Sequence, residues 1–183
     1  MNGYLELILG PMFAGKTTYL LDKIKYFDGQ SKTYLVIKHQ FDDRYHSNKI
    51  ISHDKVNHDC FPLDKLSKLS EEMIKSIDNI IIDEGQFFPD LYIEVIKLVE
   101  TYHKNVFIAG LEGDYQRKWF NDYQLSKLIP ICDNIIKLSG KCSFCDNNSL
   151  FNKRIIDSTK QILVGSNDIY KPVCRNHYLN TPD

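Results

Sequence analysis

The chain has 183 residues, 43% hydrophobic and 26% charged, with a net charge of −1. That is an ordinary soluble composition, enough for one compact domain and a small appendage. The near-neutral balance argues against a dedicated nucleic-acid binder, which is basic overall. No apolar run approaches the ~18 residues of a membrane span. The opening stretch MNGYLELILG has neither the charged n-region nor the cleavage site of a secretory signal, so a cytoplasmic location is expected.

Residues 3–9 end in an apolar run and read as a strand. After a loop at 10–15, KTTYLLDKIKYF spaces Tyr19, Leu20, Ile24 and Phe27 at helical intervals, and Gly29 stands where a helix would stop. TYLVIKH (33–39) reads as a buried strand. Residues 40–60 are polar and irregular, with room for a short hairpin; a loop of that length is usually functional or disordered. Residues 64–77 suit one or two helical pieces, with a capping signal at Ser70. NIIIDE (79–84) is the most hydrophobic strand. Pro89 opens a helix through about Tyr102, NVFIAGL (105–111) is another strand, 123–129 a short helix and NIIKLS (134–139) a further strand. Apolar strands alternating with helices predict an α/β fold with a mainly parallel sheet covered on both faces.

Beyond Gly140 the character changes to polar turns, paired cysteines and short β-type pieces, LFNKRII and QILVG. A boundary is expected near 139–141, giving an α/β nucleotide-binding domain (1–140) and a small lobe (141–183).

Gly10-x4-Gly15-Lys16-Thr17, between a strand and a helix, fits the P-loop pattern. Its glycines let backbone N–H groups approach a phosphate, and the helix N-terminus adds partial positive charge. Lys16 reaches the β- and γ-phosphates and the Thr17 hydroxyl ligates Mg²⁺. Three isoleucines, Ile80 to Ile82, then run into Asp83, at the strand end where doubly wound sheets bind ligands; it fits a Walker B aspartate. Glu84 follows, placed to take a proton from an attacking hydroxyl or water. Spacing alone does not separate a kinase from an ATPase or a GTPase, although no NKxD-type guanine-reading tetrapeptide is present.

Five cysteines stand at 60, 132, 142, 145 and 174. An odd number without an export signal is no disulfide framework. Cys60 and Cys132 read as small hydrophobes. Cys142-x2-Cys145 and Cys174-x2-His177 give four ligands for one tetrahedral, structural Zn²⁺, with no position open for water. Around them Lys141, Lys153, Arg154, Lys160, Lys171 and Arg175 are interleaved with Asp146, Asp157 and Asp168, which dilutes any basic patch.

GPMFAGKTT, IIIDEGQFF, GLEGDYQRKWF and the split CxxC…CxxH together resemble the type II thymidine kinases of cells and large DNA viruses, from about Gly3 to Tyr178. The resemblance implies a RecA-like P-loop core and a zinc-ribbon lobe carrying a lasso loop that covers the nucleoside. It implies transfer of the γ-phosphoryl of ATP to the 5′-hydroxyl of thymidine, with Mg²⁺, in deoxynucleoside salvage for DNA synthesis. It further implies a homotetramer and feedback inhibition by dTTP, without a membrane or direct nucleic-acid partner.

Residue by residue, the resemblance assigns the ATP phosphates to Gly10, Pro11, Met12, Phe13, Ala14, Gly15, Lys16 and Thr17. It adds Asp42, Asp43 and Arg44 of a D-x-R-Y segment ending at Tyr45, with His53-Asp54 as the following HD pair. Asp83 and Gln86 join this nucleotide group, with Thr17 and Asp83 on Mg²⁺, and Glu84 is the general base. Met12, Phe87, Leu111, Tyr115, Asn152, Gln161, Ile162, Leu163, Val164, Gly165 and Tyr170 form the nucleoside pocket. Three positions depart from the family pattern. Ser166 replaces a glycine of the lasso, Asn152 replaces a threonine that shapes the pocket around the thymine methyl, and His177 replaces a cysteine ligand. Trp119, in QRKWFN, is read as packing. The competing readings are a P-loop ATPase whose zinc ribbon acts on nucleic acid and a non-catalytic nucleotide-binding assembly protein.

Overall fold

The computed structural model describes residues 2–41, 48–52, 55–163 and 165–180. In chain order, β1 (Tyr4–Leu9) leads through a six-residue loop into α1 (Lys16–Gly29). Next come β2 (Tyr34–His39), a small antiparallel hairpin of β3 (Lys49–Ile51) and β4 (Asn57–Asp59), and β5 (Phe61–Leu63). A 3₁₀ turn and α2 (Glu71–Lys75) precede β6 (Asn79–Asp83). Helix α3 (Leu91–Ile96) continues as a π-helical turn to Thr101 before β7 (Asn105–Gly110). Two 3₁₀ turns lead to β8 (Asn134–Lys137).

The order β5-β2-β6-β7-β1-β8 makes one six-stranded sheet, parallel at every pairing. Its central strands β1, β6 and β7 are largely apolar and buried because both faces are covered there. Leu5, Leu7, Ile80, Ile82 and Ile108 pack with Leu91, Val95 and Leu98 of the α3 segment. On the other face Ile8, Ile81 and Phe107 pack against Leu20, Ile24 and Phe27 of α1. Ser70 caps α2, accepting the Met73 amide, as its sequence signal predicts. Cys60 and Cys132 are half-buried against these cores, as small hydrophobes.

A buried carboxylate sits within the apolar face under α1. Glu6 is 3% exposed and accepts hydrogen bonds from Tyr4 Oη (3.0 Å), Tyr19 Oη (2.9 Å) and Asn134 Nδ2 (3.0 Å), with Lys23 Nζ at 3.2 Å. Burial pushes its carboxyl up, but these donors outweigh burial and hold it below the usual carboxylate range.

After β8 the ladders become short and antiparallel: β9 (Gly140–Lys141) with β10 (Asn148–Ser149), and β11 (Phe151–Arg154) with β12 (Tyr170–Val173), followed by α4 (Arg175–Asn180). Two expectations fail. Strand β5 was not anticipated; it contains Pro62 and pairs only as the sheet edge, where a missing N–H is tolerated. The QILVG piece is not a strand among its described residues, because its carbonyls are taken by side chains rather than by a partner strand.

Candidate active site

At the C-terminal edge of the sheet a cavity of about 410 Å³ opens between the β1–α1 loop, the end of β6 and the small lobe. Gly10 (φ 152°) and Gly15 (φ 89°) give the loop its shape; a Cβ on Gly10 would meet the Leu138 carbonyl oxygen at 2.5 Å. Gly15, Lys16 and Thr17 line the cavity at the start of α1. Lys16 is 9% exposed and its ammonium donates to the carbonyls of Gly10 (3.0 Å) and Pro11 (2.8 Å). Thr17 Oγ1 donates to Asp83 Oδ2 at 3.1 Å, so two residues far apart in sequence meet as the pair expected for a divalent cation. A hydroxyl and a carboxylate are the hard oxygen donors that Mg²⁺ takes, beside a loop shaped for phosphate, and the set fits the ion.

Glu84 turns the chain out of β6 in the left-handed region (φ 55°), which puts it on the cavity wall between the phosphate loop and Phe87. Gln86 Nε2 donates to Glu84 Oε2 at 2.6 Å, while Gln86 Oε1 accepts the Leu111 amide at 3.0 Å. Gln86 is 1% exposed, and through these two bonds it ties the Glu84 carboxylate to the backbone at Leu111. Phe87 packs against Phe120 and His39. Burial lowers the His39 pKa, and its Nδ1 accepts the Phe41 amide (3.1 Å), so the ring is a neutral wedge behind this wall.

The same cavity is also lined by Met12, Leu111, Tyr115, Asn152, Gln161, Ile162, Leu163, Gly165 and Tyr170, the described members of the predicted nucleoside set other than Phe87. Asn152 Oδ1 accepts the Met12 amide at 2.8 Å. Gln161 Nε2 donates to Asp114 Oδ2 (2.9 Å) and the Trp119 carbonyl (2.8 Å); Trp119 is 47% exposed and its ring lies beside Tyr123. Asp42, Asp43, Arg44, Tyr45, His53, Asp54 and Val164 lie outside the described residues.

Cys142, Cys145, Cys174 and His177 converge behind β11 and β12. Cys145 Sγ lies 3.8 Å from Cys174 Sγ, and His177 Nδ1 lies 3.4, 3.5 and 3.3 Å from the sulfurs of Cys142, Cys145 and Cys174. A tetrahedron with Zn–S of about 2.3 Å and Zn–N of about 2.0–2.1 Å has S···S edges of about 3.8 Å and S···N edges of about 3.6 Å, so the four donors fit zinc. Burial pushes the Cys142 thiol up, but backbone hydrogen bonds at Cys174 and Phe144 and contacts with its partner cysteines bring it down to about 6. His177 is raised by its hydrogen bond to Cys174.

Several buried basic residues escaped the sequence reading. Lys38, at the end of β2 and in register with Asp83, is 2% exposed, lines the cavity and donates to the Lys49 carbonyl (3.0 Å). A lone lysine inside the apolar run LVIKH was the available signal. Lys153 and Arg154, counted above with a diluted surface patch, are 7% and 4% exposed and belong to the interior.

A family model described as thymidine kinase matches residues 3–178. The chain is 39% identical over 183 residues to a thymidine kinase of Oryza sativa subsp. japonica, covering 97% of this chain and 67% of that protein. It is 39% identical over 180 residues to thymidine kinase 1 of Dictyostelium discoideum (96% and 78%) and 36% identical over 180 residues to the thymidine kinase of Vaccinia virus, strain Western Reserve (98% and 99%).

Proposed function

Because the chain belongs to the thymidine kinase family, we propose how its own residues divide the work of that reaction. The activity is phosphoryl transfer from ATP to an alcohol group of thymidine. The triphosphate lies along Gly10–Thr17, with Lys16 on its terminal oxygens. Thr17 and Asp83 are the residues that would hold Mg²⁺, which when bound supplies charge neutralisation on the phosphate oxygens. The nucleoside occupies the end lined by Phe87, Tyr115, Asn152, Gln161, Ile162, Leu163, Gly165 and Tyr170, and Glu84 accepts the proton of its 5′-hydroxyl.

One observation carries this division. Glu84 lines a single cavity together with the Lys16–Thr17–Asp83 group and with Tyr115 and Gln161, which mark the proposed nucleoside end. A hydroxyl presented from that end meets the carboxylate and the phosphoryl together, which is the positioning that phosphoryl transfer needs.

Zn²⁺ at Cys142, Cys145, Cys174 and His177 is structural in this reading, tying the two ends of the segment that carries the nucleoside wall. The change from parallel to antiparallel ladders supports a division near residue 140. The homotetramer, dTTP feedback and cytoplasmic location rest on the family alone; among the described residues no helix is long and apolar enough to cross a membrane. Incubation with ATP, Mg²⁺ and each of four deoxynucleosides, scored for 5′-monophosphate, tests the assignment. Thymidine is the expected acceptor, and turnover of ATP without nucleoside product would refute it.

A further inference from the structure

We infer that Arg154 is the positioning residue that shapes the nucleoside wall, acting through the backbone of residues 158–163 and through Tyr115 and Tyr170. The inference rests on the reading of those residues as the thymidine site. Arg154 is 4% exposed and makes no ion pair among the described residues. Its Nη1 donates to the carbonyls of Ser158 (2.9 Å) and Lys160, and its Nη2 donates to the Gln161 carbonyl (3.1 Å) and to Tyr170 Oη (2.6 Å). That hydroxyl in turn donates to the Leu163 carbonyl at 3.0 Å. The guanidinium carbon lies 3.7 Å from the Tyr115 ring centre and 5.2 Å from that of Tyr170.

This one side chain supplies most of the hydrogen bonds to the segment's carbonyls; Tyr115 Oη also donates to the Ser158 carbonyl at 3.4 Å, and Gln161 Nε2 ties the segment to Asp114 and Trp119. Among the described residues, 157–163 make no backbone–backbone hydrogen bond, so the carbonyls of Ser158, Lys160 and Gln161 have the guanidinium where a partner strand would be. In a trans peptide the N–H points opposite to the preceding C=O. Turning the Lys160 and Gln161 carbonyls onto Arg154 therefore turns the amides of Gln161 and Ile162 away from it. Both residues line the cavity, so the arginine decides which main-chain groups a base would meet. Carbonyl dipoles and two aromatic faces offset the buried charge. The Nε atom is buried without a partner, so the side chain serves the segment at some cost to its own hydrogen bonding. A lysine has one compact ammonium and cannot reach three carbonyls and a hydroxyl in one plane while stacking on a ring.

The test uses the full zinc-loaded protein and steady-state kinetics with thymidine and ATP varied separately. Arg154→Ala should raise KM for thymidine by at least about tenfold while KM for ATP stays within about twofold. Added ethylguanidinium should recover part of the thymidine affinity by refilling the vacated site, and should not change the native enzyme. Arg154→Lys keeps charge and bulk for folding, and should show the same selective loss. A thymidine KM within about twofold of native in Arg154→Lys, or a parallel rise in both KM values, would overturn the inference. If Arg154→Ala does not fold, Arg154→Lys alone decides. Tyr115→Ala in the same series separates the two layers. If it leaves thymidine KM at the native value, the wall reading itself fails; if it raises KM while the Arg154 variants do not, only the arginine's role falls.

Discussion

The Asn152 carboxamide oxygen accepts the Met12 amide at 2.8 Å, joining the start of β11 to the middle of the phosphate loop. Asn152 is 6% exposed, and Met12 and Asn152 both line the cavity. Replacing Asn152 with Ala leaves the Met12 amide to find water in a part-buried site, at a cost of about 1–3 kcal/mol. The expected result is a drop of roughly tenfold in kcat/KM. Asn152→Thr, which keeps an acceptor oxygen, should lose less. Equal kcat/KM for native protein and Asn152→Ala would mean that the loop holds Met12 without this bond.

Glu84→Gln preserves the shape of the corner, because a carboxamide oxygen can still accept the Gln86 amide. It removes the proton acceptor. Turnover should fall by about 10²–10⁴-fold, the usual contribution of a general base. ATP affinity, measured by equilibrium titration, should stay near native because Lys16, Thr17 and Asp83 are untouched. Native turnover would remove the carboxylate from the chemistry.

Elemental analysis of clean, reduced protein should find one zinc per chain. Stripping the metal with a chelator should lower the melting temperature and weaken thymidine binding more than ATP binding, since the cluster backs β11 and β12 and not the phosphate loop. With the Cys142 thiol depressed to about 6, the thiolate is available above that value and protons compete for the sulfur as pH falls through it. The Cys145 thiol, which a backbone hydrogen bond at Asn147 lowers but burial and its neighbouring cysteines push up overall, meets that competition at higher pH, so zinc retention should weaken progressively as pH falls in a buffered titration against a chromogenic chelator. Loss of zinc with unchanged thymidine affinity would contradict the link to the nucleoside wall.

Glu6 supplies a pH-dependent share of stability. Its folded pKa is depressed, so the contribution is complete above the ordinary glutamate range and fades as pH falls through the lower folded value. Glu6→Gln should destabilise the fold by about 1–3 kcal/mol near neutrality. The gap between native and variant in denaturant melts should narrow as pH is lowered below the ordinary range. A gap that does not change with pH would show that the carboxylate's charge is not what the four donors serve.

What could be read in advance was local in the chain. The β1–loop–α1 unit, the apolar run into Asp83 and the four zinc ligands each depend on contiguous or regularly spaced residues. Arg154 looked like surface charge because the groups that neutralise it are carbonyls of residues 158–161, and a backbone oxygen has no letter in a sequence. The same carbonyls explain the misread QILVG piece. Ile162 and Leu163 favour a strand, but no partner strand reaches them. Lys38 was hidden for the opposite reason: its strand assignment was right, and its place opposite Asp83 emerges only from the β2–β6 register.

The placing of β1 between β7 and β8 carries a lesson for synthesis on the ribosome. The first strand to emerge has no hydrogen-bonding neighbour in the sheet until Asn105–Gly110 has been translated. The glycine-rich turn behind it thus stays unsupported for more than half of elongation. A nascent chain stalled just after Lys137 would own every strand of the sheet, yet it would lack Asn152, the 158–163 segment and Tyr170 of the proposed nucleoside wall. Such a fragment should grip a triphosphate and ignore the nucleoside, so shortened translation products would compete for ATP without contributing product.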